Sequence, residues 1–114
     1  MKTNELTGAA LDWAVAKCEG ATDEWREDGP FLWGCVPCIR SGGHDVNYRP
    51  SSYWTHGGPI IENEISQLAD LGDEGWEARG YGITETGPTP LIAAMRCYVA
   101  SKLGDEVEIP KELT

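Results

Sequence analysis

The eleven residues from Tyr48 to Gly58, Tyr-Arg-Pro-Ser-Ser-Tyr-Trp-Thr-His-Gly-Gly, hold most of the side chains in this chain that suit ligand contact. An indole or phenol face stacks on a purine ring, and an Arg or a glycine-rich loop supplies donors to a phosphate. Ser and His complete ribose and phosphate contacts. Further along the chain, Trp76 with Arg79, Tyr81, and the earlier Trp33 offer the same chemistry. The expected ligand site is therefore Trp33, Tyr48, Arg49, Ser52, Tyr53, Trp54, His56, Trp76 and Arg79. Five tryptophans in 114 residues exceed what so small a core buries, so some should line a groove or an interface. The competing reading makes 48–58 a projecting surface loop whose Tyr53 and Trp54 seal a sheet edge.

Cys35-Val-Pro-Cys38 has a spacing shared by metal knuckles and redox dithiols. A structural zinc needs two more ligands, and downstream only His44 and His56 are available, at a spacing that fits no zinc motif well. A redox pair would sit at the start of a helix, but Arg40-Ser-Gly-Gly-His follows. Packing within a strand or loop is favoured over zinc, and zinc over redox chemistry, so no metal or other cofactor is expected. Cys18 and Cys97 read as core thiols of two helices, free in a chain with no secretory signal.

Catalytic signatures are weak. Ser51 and Ser52 precede His56, yet no Gly-x-Ser-x-Gly elbow surrounds them and no carboxylate is spaced to orient the imidazole. Asp23, Glu24, Glu27 and Asp28 read as a solvated acidic face. Gly42-Gly43 and Gly57-Gly58 are isolated pairs, and neither opens a Lys-containing helix as a phosphate loop would. A binding protein is expected, not an enzyme.

A net charge of −10, from nineteen acids against nine bases, argues against direct contact with nucleic acid or an anionic membrane. No apolar run is long enough to span a bilayer, and Met-Lys-Thr-Asn-Glu-Leu lacks a signal-peptide core, so a cytoplasmic location is expected. A length of 114 residues suits one domain.

The elements that must position these residues follow from periodicity. Leu6, Ala10, Leu11, Ala14, Val15 and Cys18 form one amphipathic helix, opened by Thr3, Asn4 or Thr7 and stopped by Gly20, with Asp12 and Lys17 on its polar side. Leu91, Met95, Tyr98, Val99 and Leu103 form a second, with Thr89 as cap, Pro90 in the first position and Gly104 after the last turn. Pro30–Ile39 reads as an edge strand, or two short pieces around a bend, because of Pro37. Ser41–Ser52 reads as a loop. Residues 60–68 fit either a helix or a strand; a hairpin of Glu64–Asp70 and Trp76–Ile83 around Gly72–Gly75 is preferred. The expected fold is α+β, a small antiparallel sheet with the N- and C-terminal helices packed on it.

Three blocks carry a family resemblance: Leu6-Thr-Gly-Ala-Ala-Leu-Asp-Trp-Ala-Val-Ala-Lys-Cys-Glu-Gly20, Pro50-Ser-Ser-Tyr-Trp-Thr-His-Gly-Gly-Pro-Ile-Ile61, and Gly87-Pro-Thr-Pro-Leu-Ile-Ala-Ala-Met-Arg-Cys-Tyr-Val-Ala-Ser-Lys-Leu-Gly104. Together they resemble the small phage and prophage NinX proteins, a family of unknown function. The helix–sheet–helix layout is also similar to the phage alpha-beta-alpha sandwich domain. Residues 34–47 depart from the NinX-like pattern and read as a variable insertion, so a metal there would be peculiar to this member. The resemblance implies a phage accessory protein acting in the host bacterial cytoplasm.

Three functions from different classes are expected in descending order. The first is non-enzymatic sequestration of a small nucleotide-derived host signal, at an oligomer interface of the protein with itself. The second is an acidic module that inhibits or redirects a host protein, with nucleic-acid mimicry as one form of it. The third is a zinc domain in which Cys35, Cys38, His44 and His56 converge.

Overall fold

Thr89 and Pro90 open the longest helix, α3 (Pro90–Leu103), as their chemistry requires: the Thr89 hydroxyl accepts the Ile92 N–H at 3.1 Å. Gly104 follows the last turn at φ +88° and closes onto the Ala100 carbonyl. The computed structural model describes residues 1–113. Every residue from Ala93 to Ala100 is buried, which requires a helix covered on all sides. It packs against the strands β5 (Trp76–Gly80) and β6 (Ile83–Gly87), and against the helices α1 (Gly8–Cys18) and α2 (Trp54–Glu64). The expected single stripe is thus a correction: Met95, Tyr98 and Val99 are core, Arg96 and the alanines are buried too, and Leu103 is exposed.

The architecture is α+β, with two separate three-stranded antiparallel sheets in place of one. The first runs β1 (Phe31–Trp33), β2 (Val36–Ser41) and β3 (His44–Asn47); the second runs β4 (Gln67–Asp70), β5 and β6. The preferred hairpin is present as β4 and β5, with Gln67 opposite Arg79 and Asp70 opposite Trp76. Its second arm ends early, because Tyr81 (φ +54°) and Gly82 (φ +74°) make a two-residue turn into β6.

Several expectations for the middle of the chain are overturned. Gly42-Gly43 is a tight hairpin turn, not loop filler, and joins β2 to β3 with Ser41 opposite His44. The apolar segment 30–39 does split into two pieces, but around Gly34-Cys35, which leaves Pro37 in the middle strand. Leu32 gives its N–H to the Thr22 carbonyl, so the Leu32–Pro37 pair exchanges no ladder bond. On its other side the Pro37 carbonyl accepts the Tyr48 N–H at 2.8 Å just past the end of β3, so the bond that its missing N–H cannot return falls at the very end of the pairing.

The segment 54–58, expected as loop, is the first half of α2. Ile60 is buried and Ile61 half-buried on the inner side of this helix, and the strand β4 starts only after it ends. Gly57 sits there because the backbone approaches its neighbours closely: a Cβ would collide with the Pro50 carbonyl oxygen and the Leu91 side chain.

Candidate functional site

Asp12 lies one turn into α1 with 5% of its surface exposed, and its Oδ1 accepts the Ser51 N–H at 2.8 Å. Burial pushes its pKa up, while hydrogen bonds from Ser51 and the Arg49 charge oppose that rise. This bond ties the chain after β3 to the first helix. Ser52 and Tyr53 then give their N–H groups to the Arg49 carbonyl at 3.1 and 2.8 Å, which makes a compact turn that delivers the chain into α2. In the first turn of that helix, His56 Nδ1 accepts the Arg49 N–H at 2.8 Å. That contact requires an unprotonated Nδ1, hence a neutral imidazole with its proton on Nε2. Burial lowers the His56 pKa in the same sense.

The imidazole lies between two phenol rings, with centroids 5.3 Å from Tyr48 and 5.6 Å from Tyr53. The Arg49 guanidinium stands over Tyr53 at 5.7 Å. Tyr48, Arg49, Tyr53 and His56 are therefore brought together as the sequence suggests.

A cavity of about 440 Å³ opens beside this group. Gly8, Ala9 and Asp12 of α1 form one side, Val36, Pro37, Asn47 and Tyr48 another, and Arg49, Ser51, Ser52 and Ile92 the remainder. A hollow of about 450 Å³, lined by Val46, Asn47, Arg49, Tyr53 and His56, adjoins it through the shared Asn47 and Arg49. Another, of about 310 Å³, reaches from Ser51 and Ser52 to Trp54 and the start of α3. The central cleft combines apolar walls with a few polar groups of opposite charge, the arrangement typical of small-molecule sites. A separate cavity of about 430 Å³ is lined by Lys2, Thr3, Asn4, Glu85, Asp105 and Glu106. It lacks apolar walls.

The other expected site residues fall elsewhere. Trp54 is 56% exposed on the first turn of α2 and belongs to the outer hollow. Trp33, 77% exposed, lines none of the three hollows, although its cross-strand neighbour Val36 lines the cleft. Trp76 and Arg79 differ by an odd number of strand positions and so point to opposite faces. Trp76 packs on the core, while Arg79 pairs on the outer face with Glu77 at 2.9 Å. Tyr48, expected as a contact surface, is 4% exposed and serves as floor.

The four zinc candidates do not converge. Cys35 lies in the turn between β1 and β2, whereas His44 lies beyond the far end of β2. Cys38 opposes Asn47 and His44 opposes Ser41, so the two are three strand positions apart, roughly 10 Å. His56 already spends Nδ1 on Arg49. Among the described residues no group of three His, Cys, Asp or Glu side chains is placed to hold a metal.

Two buried charged residues, Asp12 and Arg96, lie outside the expected site. Arg96, inside α3, donates to the Leu6 and Thr86 carbonyls, each at 2.9 Å. Asp12, expected on the polar side of α1 with Lys17, precedes Val15 and Ala16 by three and four residues, and both are fully buried. That spacing puts it on the inner face and was available as a signal.

Among the described residues no helix is long and apolar enough to cross a membrane. Comparison with curated proteins finds no match. A family model described as Bacteriophage P22, NinX matches residues 2–102, from before α1 to the last turn of α3, and so takes in both sheets and every residue that lines the cleft. The chain belongs to the bacteriophage P22 NinX family.

Proposed function

We propose that this chain is a non-enzymatic phage accessory protein that binds a small nucleotide-like molecule and withdraws it from the host bacterial cytoplasm, counteracting a defence that uses it as a signal. The observation that carries this reading is the convergence of Asp12 and Arg49, opposite in charge, within one apolar-walled cleft of about 440 Å³. That size suits a small ligand. An adjoining hollow supplies the phenol of Tyr53 for stacking, beside the same Arg49. The defence role rests on the phage setting alone, and the cleft supports only the binding step. Native mass spectrometry of the protein purified from phage-infected host cells tests the binding step. The expected result is a retained mass in the nucleotide range, released intact on denaturation; a released hydrolysis product would instead indicate an enzyme.

A second reading has its own observation. Trp25 is 53% exposed and is flanked by the exposed acids Asp23, Glu24, Glu27 and Asp28, a surface suited to an acidic module that docks on a host protein. Retention of a host protein in the same purification, lost when these four acids are neutralised, would favour it. Self-association is proposed through the exposed Trp33, and the sedimentation of Trp33→Ser against wild type checks it.

A further inference from the structure

We infer that the cleft selects a guanine base and that Asp12 is the residue that sets this selectivity. The inference rests on the nucleotide reading above and goes beyond it to the identity of the base. As a carboxylate, Asp12 has two oxygens that accept hydrogen bonds and none that donate. Ser51 N–H satisfies one direction at Oδ1. The Ser51 side chain bonds to the carboxylate as well, and Asp12 lines the cleft, so a ligand there would meet the acceptor directions that Ser51 leaves open.

Among the common bases only guanine offers two adjacent N–H donors on one edge, N1–H and the N2 amino group, at a separation that matches the two oxygens of a carboxylate. Adenine places the lone pair of N1 at the corresponding position. Cytosine and uracil place at least one acceptor beside any donor, so lone pair would face lone pair. In bulk water such mismatches are weak, because water re-satisfies both groups. With Asp12 only 5% exposed, water has little access to the acceptor directions that Ser51 leaves open, so a mismatched base would seal them in unsatisfied, which is where discrimination becomes large. The rest of the cleft fits this orientation. Val36, Pro37 and Ile92 offer apolar surface to the faces of the base, and Arg49 is available to a phosphate at the rim.

The test is isothermal titration of the full chain at neutral pH with guanosine, inosine and adenosine monophosphates, which carry N–H donors at both, one and neither of the two positions N1 and C2. The expected order is guanosine tightest, inosine intermediate and adenosine weakest, with guanosine over adenosine by about 10- to 100-fold. Asp12→Asn keeps an oxygen for Ser51 N–H but turns a donor toward the base. It should bring the guanosine-to-adenosine ratio close to one, with its folding checked by circular dichroism. If that variant does not fold, the wild-type series alone decides. Adenosine monophosphate binding as tightly as guanosine monophosphate overturns the guanine assignment and leaves the nucleotide reading intact. Guanosine selectivity that survives in folded Asp12→Asn overturns the role of Asp12. No binding of any of the three at millimolar concentration overturns the nucleotide reading with it.

Discussion

Around α3 the chain is closed by apolar volume, with Met95, Cys97 and Val99 wholly buried, whereas around the cleft it is closed by a few hydrogen bonds, Ser51 N–H to Asp12 and Arg49 N–H to His56. In the first region nearly every side chain is committed to packing. In the second the backbone is held by two buried or half-buried acceptors, and the remaining side chains, Arg49, Ser52, Tyr53 and Trp54, stay exposed. A surface anchored in this way keeps its shape while its exposed residues remain available to a ligand.

Met95→Ala should break the first region most severely. It deletes a fully buried side chain from a helix covered all round and should lower stability by about 2–5 kcal/mol in urea unfolding. A loss under about 1 kcal/mol would mean that the interior around α3 collapses freely. Arg96→Met comes next. The thioether keeps much of the volume but leaves the Leu6 and Thr86 carbonyls without their donor, so a loss of about 1.5–3 kcal/mol is expected. No loss would show that α3 needs volume only.

Trp54→Ala sharpens the contrast from the cleft side. It should change stability by less than about 0.5 kcal/mol, since the side chain is 56% exposed. If the ligand reaches the outer hollow, the variant should lose about 1–3 kcal/mol of binding. A large fall in Tm with binding intact would return Trp54 to the core. The smallest effect is the pH dependence through His56. Its native pKa lies below the ordinary 6.5, so the unfolded chain takes up the proton first. The contribution of His56 to stability is complete above 6.5 and is lost as pH falls through 6.5 toward the native value. Asp12, raised above 3.8 by burial, acts in the opposite sense and at lower pH, losing its contribution as pH rises. Urea midpoints between pH 7.5 and 5.5 should therefore fall less in His56→Asn than in wild type.

Periodicity and end chemistry made α1, α3 and the β4–β5 hairpin legible, because the apolar spacings, Thr89-Pro90 and the 72–75 turn each act locally. The helix α2 was not legible, since Gly57-Gly58-Pro59 reads as punctuation until the contact of Gly57 with Pro50 and Leu91 is known. The strand β3 was hidden for a related reason: all four of its residues are exposed, so no alternating pattern marks it. Of the expected site, Tyr48, Arg49, Tyr53 and His56 converge because they share one turn and one helix start. Trp33, Trp76 and Arg79 fail to join them, as their places depend on strand pairing, and for the last two, strand parity alone separates their faces. Asp12 entered the site only through a contact with Ser51, thirty-nine residues away in sequence.

The central claim is that the cleft beside Arg49 is a binding surface held apart from the folding core, and Arg49→Ala tests it most directly. Nucleotide titration and thermal melting on the same samples should show affinity reduced by about tenfold or more, near 1.4 kcal/mol, with Tm within about 2 °C of wild type. Unchanged affinity together with a Tm lowered by many degrees would contradict the account, because Arg49 would then belong to the fold and not to the site.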